Sequence, residues 1–423
     1  MRIEMLATGD ELVTGRLADT NSKRLGGMFF TLGESLRRTT VVGDDLEEIV
    51  AALREAAGRS DVVIVSGGLG PTLDDLSVDA ACVAFDREPT VDEAQLERIR
   101  GRFERLGRAF TPNNERQARV PAGSEVIGND YGTATAFMLP LPSAGRTTEV
   151  WFLPGIPSEL EGIARGHLLP RLRRRIEATG VFHAHREVKC LGIPESHLDQ
   201  AVRPLLAAHP HVRYGTRVHF PEAHARLVAT GGSRAEAEAR CERIAREIRE
   251  ALGRPVFGGE EDTLPSVTVQ ALLSRSWTIC FAESLTAGLA AATLAEAPGA
   301  SRVLVGSSVT YSEELKRRWL GVPAEVLERE GAVSEACARH MAEGALRASG
   351  ADLAVALTGY AGPEGGADGT PPGTFYAAIA GGGLPTLVKQ RRVTYGGREE
   401  VRRGAAYLAL DLARRRALGE GSP

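Results

Sequence analysis

Residues 61–76 read DVVIVSGGLGPTLDDL, and the fold turns on them. Val62-Val63-Ile64-Val65 is a run of β-branched residues of strand length. It shows no polar alternation, so as a strand it is buried on both faces. Ser66-Gly67-Gly68-Leu69-Gly70-Pro71-Thr72 makes a glycine turn, and a helix is expected from near Asp74. Upstream the pattern repeats. Ile3 to Ala7 is short and apolar, 20–32 reads as a helix, and Val41 and Val42 sit near the end of a second strand. Residues 45–57 have helical periodicity with Asp44 or Asp45 as N-cap. This β-α-β-α-β-α order predicts an α/β domain with a parallel sheet and helices on both faces.

Further along, 92–107 reads as a charged amphipathic helix. EVWFLPGIP (149–157) is a strand running into a proline-glycine turn, followed by an Arg-rich helix at 159–177. Between 186 and 258 the texture changes. Strand-like pieces (186–191, 212–218, 224–230) and helices (195–207, 233–252) predict a small α+β module. A second α/β unit begins at 266. Helix 266–275, strand 277–282, helix 285–296, strand 303–310, helices 312–320 and 334–349, and strand 352–358 lead into a glycine-rich loop, 359–373. Strands 374–380 and 386–394 and a helix at 398–416 complete it, with a frayed tail after Arg416.

Composition sets limits. A chain of 423 residues implies two or three domains. Net charge of −4 and 5% aromatic residues offer neither an electrostatic grip nor stacking platforms, which argues against direct nucleic-acid binding. The five cysteines (Cys82, Cys190, Cys241, Cys280, Cys337) show no CxxC spacing and read as free thiols of a cytoplasmic protein. MRIEMLATGDEL is no signal peptide, and no apolar stretch approaches the roughly 20 residues of a bilayer span.

Ser284 follows the strand ending Ile279-Cys280-Phe281-Ala282. By position alone it reads as a helix cap more than as a nucleophile. As a nucleophile it would lie at the carboxyl end of a strand, with the N–H groups of Thr286, Ala287 and Gly288 available to an oxyanion or phosphate. Tyr311 and Lys316 follow the next strand and bring a phenol and an amine to the same rim. A serine hydroxyl needs a base, and a lysine of lowered pKa or a tyrosine relaying to one supplies it. His340, the one histidine of this domain, reads as structural. Thr358 and Gly359 open a third glycine-rich strand end.

AESLTAG (282–288), VTYSEELK (309–316), GAVSE (331–335), TGYAGP (358–363), PPGT (371–374) and GGR (396–398) stand in the order found in the nicotinamide-nucleotide amidase domain of the CinA family, which 264–423 resembles. The resemblance implies deamidation of nicotinamide mononucleotide to nicotinate mononucleotide and ammonia without a cofactor. Ser284 would be the nucleophile, assisted by Tyr311 and Lys316. Thr286, Gly288, Thr358, Gly359 and Arg398 would contact substrate. Ala287 stands where the family pattern has glycine, Glu313 for asparagine, Tyr360 for isoleucine and Gly397 for aspartate.

GDEL (9–12), DTN (19–21), VVGD (41–44), GGLGPTLDD (67–75) and LPGIPSE (153–159) make 1–170 similar to the molybdopterin-binding-type domain of CinA. TPNN (111–114) and Gly132-Thr133-Ala134 match further pocket segments. Some members hydrolyse ADP-ribose to AMP and ribose 5-phosphate there with a divalent metal. The resemblance makes Asp74 and Asp75, then Asp10 and Glu11, the metal ligands, and Gly67, Gly68, Gly70, Thr72 and Asn21 the nucleotide contacts. Residues 171–258 resemble the KH-like region of CinA but lack a GXXG loop in a helix-turn-helix setting, against RNA binding. The pairs His183/His185 and His209/His211 read as surface residues. The family also implies a homodimer. The alternative function is a non-catalytic competence or DNA-damage partner that binds nucleotide only.

Overall fold

The computed structural model describes residues 1–143 and 146–420; residues 421–423, part of the tail expected to fray, lie outside the described residues. By compactness the chain divides into 1–185 with 211–213 and 228–242, and 186–210 with 214–227 and 243–423. Among the described residues no helix is long and apolar enough to cross a membrane.

The N-terminal strands are β1 (Ile3–Thr8), β2 (Leu36–Val42), β3 (Val62–Ser66), β4 (Pro89–Val91), β5 (Arg119–Pro121), β6 (Glu125–Ile127), β7 (Ala136–Ser143) and β8 (Arg146–Leu153). Six of them form one sheet in the order β2-β1-β3-β8-β7-β6, and β4 pairs with β5. The expected parallel sheet holds from β2 to β8. It is extended by antiparallel β7 and β6. Strand β7 escaped the sequence reading because Pro140 and Pro142 break its pattern. Both lie beyond Ala136–Met138, the stretch that pairs with β6, so each faces an edge where no amide is needed.

Period-2 alternation sorts the core. Ile3, Met5, Val62 and Ile64 pack with Phe29, Leu160 and Leu172 on one face. Leu6, Val63 and Val65 pack with Ile49 and Leu53 on the other. The helix Leu169–Glu177 contributes Leu172 and Ile176 to this core, so it belongs with the N-terminal domain rather than with a middle module starting at 171. The helix expected from Asp74 begins at Ser77. Asp75 instead closes a turn, its carboxylate accepting from the Thr72 amide at 2.8 Å and hydroxyl at 2.6 Å.

The middle module has strands β9 (Phe182–Leu191), β10 (Val212–His219), β11 (Glu222–Gly231) and β12 (Val256–Gly258). They form a sheet in the order β10-β11-β9-β12.

The C-terminal strands are β13 (Ile279–Glu283), β14 (Leu304–Val309), β15 (Leu353–Gly359), β16 (Thr374–Gly381) and β17 (Leu384–Arg392). Their order is β14-β13-β15-β16-β17, with β13 parallel to β14 and β15, and with β16 and β17 antiparallel. Large residues (Ile279, Phe281, Val355, Leu357) face one side with the helix Arg398–Leu418. Small ones (Cys280, Ala282, Ala354, Ala356) face the helix Glu335–Ser349. The small face lets that helix sit close. At Gly344 a Cβ would lie 1.8 Å from the Leu320 carbonyl, so only glycine fits against the neighbouring helix Glu313–Leu320. That close approach carries Lys316 to the centre of the strand ends.

Candidate active site

Ser284 begins where β13 stops. Its amide donates to the Leu357 carbonyl of β15 at 2.9 Å, and the Thr310 amide donates to the Glu283 carbonyl at 2.9 Å. Ser284 is thereby tied to both neighbouring strands. Ser312 caps the next helix, its hydroxyl accepting from the Leu315 amide, and so fixes where Lys316 falls, one turn inside.

Lys316 is 1% exposed, and its Nζ lies 3.0 Å from Ser284 Oγ. The same nitrogen donates to the carbonyls of Thr310 at 2.8 Å and Tyr311 at 3.3 Å. A neutral amine has two N–H bonds and one lone pair. In that form the two carbonyls would take the N–H bonds, and the lone pair would be left for the serine proton. Burial lowers the Lys316 pKa, against the opposing pull of Cys337 and Glu313. Burial pushes the Cys337 thiol up to about 11, so near neutral pH the sulfur is uncharged and does little to hold a proton on the amine. Glu313 is exposed, and water screens it.

The Tyr311 phenol is not at this pair. The side chain is 55% exposed, and its Oη accepts from Arg398 Nη2 at 2.7 Å. The residue reaches Lys316 through its backbone carbonyl alone. Arg398 also donates to the Gly362 carbonyl at 2.8 Å. These groups, with Leu285, Gly359 and Tyr360, line an open cavity of about 410 Å³. Thr358 lies behind it. That residue is fully buried, and its hydroxyl donates to the Ala332 carbonyl at 2.6 Å, so it holds the 331–335 loop rather than facing a ligand.

The turn after Ser284 also differs from expectation. The helix starts at Leu289, not 285. Ala287 has φ 51° and Gly288 φ 94°. The Ala287 amide donates to the Ser284 carbonyl at 3.1 Å and the Gly288 amide to Glu283 Oε2 at 2.9 Å. These two amides are therefore committed and do not serve an oxyanion. Thr286 is buried with an unpartnered hydroxyl, and its carbonyl accepts from Arg402 at 2.9 Å.

Glu283 was missed by sequence reading. It is fully buried, and its carboxylate accepts from the amides of Gly288, Ala290 and Ala291 and from the Ser307 hydroxyl. It ties the turn after Ser284 to β14. The signal was available: an acid ending a buried strand must find several donors.

In the N-terminal domain, Gly67 and Gly68 have φ 110° and 68°. A Cβ on Gly67 would lie 2.6 Å from the Thr8 carbonyl. Asn21 Nδ2 donates to Ser66 Oγ at 2.9 Å and the Gly155 carbonyl at 2.7 Å, while its buried Oδ1 has no partner. This loop is set by close backbone approach. Its expected contact residues differ in freedom. A Cβ on Gly70 would meet the Asp75 carboxylate at 2.6 Å, and the Thr72 hydroxyl is already bonded to Asp75.

The four acids named as metal ligands are not gathered for that role. Asp10 and Asp44 each accept from the other's amide at 3.0 Å, and Asp75 faces its own turn. Among the described residues no group of three or more His, Cys, Asp or Glu could hold a metal ion. The residues as placed do not fit a metal. Burial raises the Asp44 pKa, and the charges of Asp10, Glu11 and Asp74 add to it, so the acids sense one another without forming a cage.

Comparison with known proteins identifies three modules. Residues 4–174 match the probable molybdopterin binding domain, 185–258 the damage-inducible protein CinA KH domain, and 261–417 the CinA C-terminal domain. The chain is thus a two-domain α/β protein with a KH module between. It belongs to the CinA family of competence/damage-inducible proteins. A CinA-like protein of Anaeromyxobacter sp. is 44% identical over 416 residues, covering 98% of each chain. One from Myxococcus xanthus is 41% identical over 420 residues, covering 99% of each. A crystal structure of a CinA superfamily protein from Klebsiella pneumoniae is 39% identical and covers 37% of this chain and 96% of that one, with a TM-score of 0.36.

Proposed function

We propose that the C-terminal domain hydrolyses the carboxamide of nicotinamide mononucleotide, with Ser284 as nucleophile and Lys316 as base. The observation that carries this is the buried Lys316 amine 3.0 Å from Ser284 Oγ, with the carbonyls of Thr310 and Tyr311 also within hydrogen-bond reach of the nitrogen. Lys316 takes the Ser284 proton as Oγ attacks the amide carbon. It then gives that proton to the departing nitrogen, releasing ammonia and leaving an ester on Ser284. Water, deprotonated by the same amine, cleaves the ester to the carboxylate and restores the hydroxyl. The Arg398 guanidinium, beside an open cavity of about 410 Å³, supplies the cation for the substrate phosphate. Pyridine-nucleotide salvage is the setting such a reaction serves.

The test is ammonia release from nicotinamide mononucleotide by the full chain and by Ser284→Ala. Activity surviving in the variant sinks the nucleophile assignment. For the N-terminal domain the proposal is a nucleotide-phosphate site at 66–70, supported by the backbone approach at Gly67 and the orphaned Asn21 Oδ1. ADP-ribose cleavage is its candidate reaction, read as AMP release. The proposed assembly is a homodimer, read by sedimentation.

A further inference from the structure

Strand β17 is the edge of the C-terminal sheet. Its alternate residues Leu387, Lys389 and Arg391 share one face, and Val393 follows directly after the strand. Leu387 and Val393 pack on the large-residue core. Across the ladder Leu387, Lys389 and Arg391 stand beside Ile379, Ala377 and Phe375, all buried. Two cations therefore sit where the pattern of the sheet calls for apolar side chains. Such a break in an otherwise consistent pattern marks a functional position or an uncompensated cost.

A cavity of about 400 Å³ explains them. Its walls are Leu191, Phe220, Phe375, Ile379, Leu408 and Leu412, with Leu387 and Val393 at the strand. The volume lies in the range of roughly 300–1,000 Å³ typical of small-molecule sites with apolar walls and a few polar groups. The acids that line it are neutralised. Asp411 is 2.9 Å from Arg414 and 2.7 Å from Arg415, and Glu420 is 3.7 Å from Arg414. Arg416 is also engaged, donating to the Gly381 and Pro385 carbonyls. Arg254, Lys389, Arg391 and Arg392 remain on the lining, and none makes an ion pair among the described residues. The cavity has mainly apolar walls and a cationic lip.

We propose that this cavity binds a free amphipathic anion: an apolar body of fatty-acid size seated against Phe220, Phe375 and Leu408, with one carboxylate held by Lys389 and Arg391. The apolar walls supply affinity by burial, and the lip selects the charge. The site is separate from the cavity lined by Leu285, Tyr311 and Arg398, which shares none of these residues.

Calorimetric titration of the full chain with decanoate, and separately with decanol, tests this. Decanoate is expected to saturate one site below about 1 mM and to bind roughly tenfold tighter than decanol. Raising salt above about 0.15 M weakens the acid and not the alcohol. Lys389→Glu/Arg391→Glu is expected to lose roughly tenfold in decanoate affinity with the alcohol unchanged. Leu408→Trp, which fills the cavity, weakens both, and Ser284→Ala changes neither. The acid–alcohol comparison on the wild-type chain needs no variant to fold. Equal affinity for acid and alcohol overturns the anion assignment, and absence of saturable binding overturns the site. A dimer in sedimentation that dissociates in Lys389→Glu/Arg391→Glu, with no decanoate binding, assigns the face to a second copy of the chain and overturns it equally.

Discussion

Replacing Lys316 with methionine separates its chemical role from its structural cost. Methionine keeps the length of the stem and removes the amine. Loss of a positioned general base lowers turnover by about 10²–10⁴-fold. Stability changes by two opposing terms. The carbonyls of Thr310 and Tyr311 lose an N–H donor, and the Thr310 bond at 2.8 Å is the stronger of the two. A buried acceptor left unpaired costs about 1–3 kcal/mol. Against this stands the proton. Burial lowers the Lys316 pKa in the folded chain, whereas the unfolded chain keeps the ordinary ammonium value of about 10.4. Above that pH both states are neutral and charge contributes nothing. As pH falls below it the unfolded chain takes up the proton first, so wild type loses stability at about 1.4 kcal/mol per pH unit until Lys316 is protonated in the folded state too. Methionine does not titrate. Lys316→Met should therefore be less stable than wild type near pH 10, and the gap should close or reverse toward neutral pH. Ammonia release and urea unfolding across pH 7–10 read the two effects. Activity within roughly tenfold of wild type would remove Lys316 as the base. A stability difference flat across that range would mean that the folded-state amine is charged, and the mechanism fails with it.

Other residues of the site give sharper single readouts. Glu283→Gln keeps one acceptor oxygen but turns the other into an NH2, which then faces either the amides of Gly288 and Ala290 or the amide of Ala291, so it should cost about 2–4 kcal/mol in urea unfolding and lower kcat; a change under roughly 0.5 kcal/mol would show that the turn does not depend on the carboxylate. Ala287→Gly removes a Cβ at φ 51° and should raise stability by about 0.5–1 kcal/mol, a loss instead meaning that the methyl packs usefully. Arg398→Lys cannot fork between Tyr311 Oη and the Gly362 carbonyl, so KM for nicotinamide mononucleotide should rise about tenfold with kcat within roughly threefold; a fall confined to kcat would move Arg398 from binding to chemistry.

The strands that build the two sheets were legible because they are buried on both faces. Val62-Val63-Ile64-Val65 and Ile279-Cys280-Phe281-Ala282 have no polar alternation, and a glycine turn follows each. Strand β7 was not legible because its prolines matter only once the length of its pairing with β6 is known, which is a tertiary fact. The helix starts at Asp74 and at 285 were misplaced for a common reason. In both turns a carboxylate claims nearby amides: Asp75 turns back onto Thr72, and Glu283 takes the Gly288 amide that a helix from 285 would have used. Spacing alone cannot say which donors an acid will claim. The same limit applies to the tyrosine and lysine of 309–316. With Ser312 as cap, Tyr311 precedes the helix and Lys316 sits one turn inside, so both fall on the same side of its start. Sequence could bring them to one rim but not choose between them. The choice follows from length and burial. The lysine stem threads between Thr310 and the helix Glu335–Ser349, whose glycine at 344 lets the two helices close, while the phenol, anchored outside by Arg398, stays exposed. On the proposed mechanism the base is the group that the packing of small residues can desolvate, and Gly344 would then support it although it touches neither Ser284 nor the cavity.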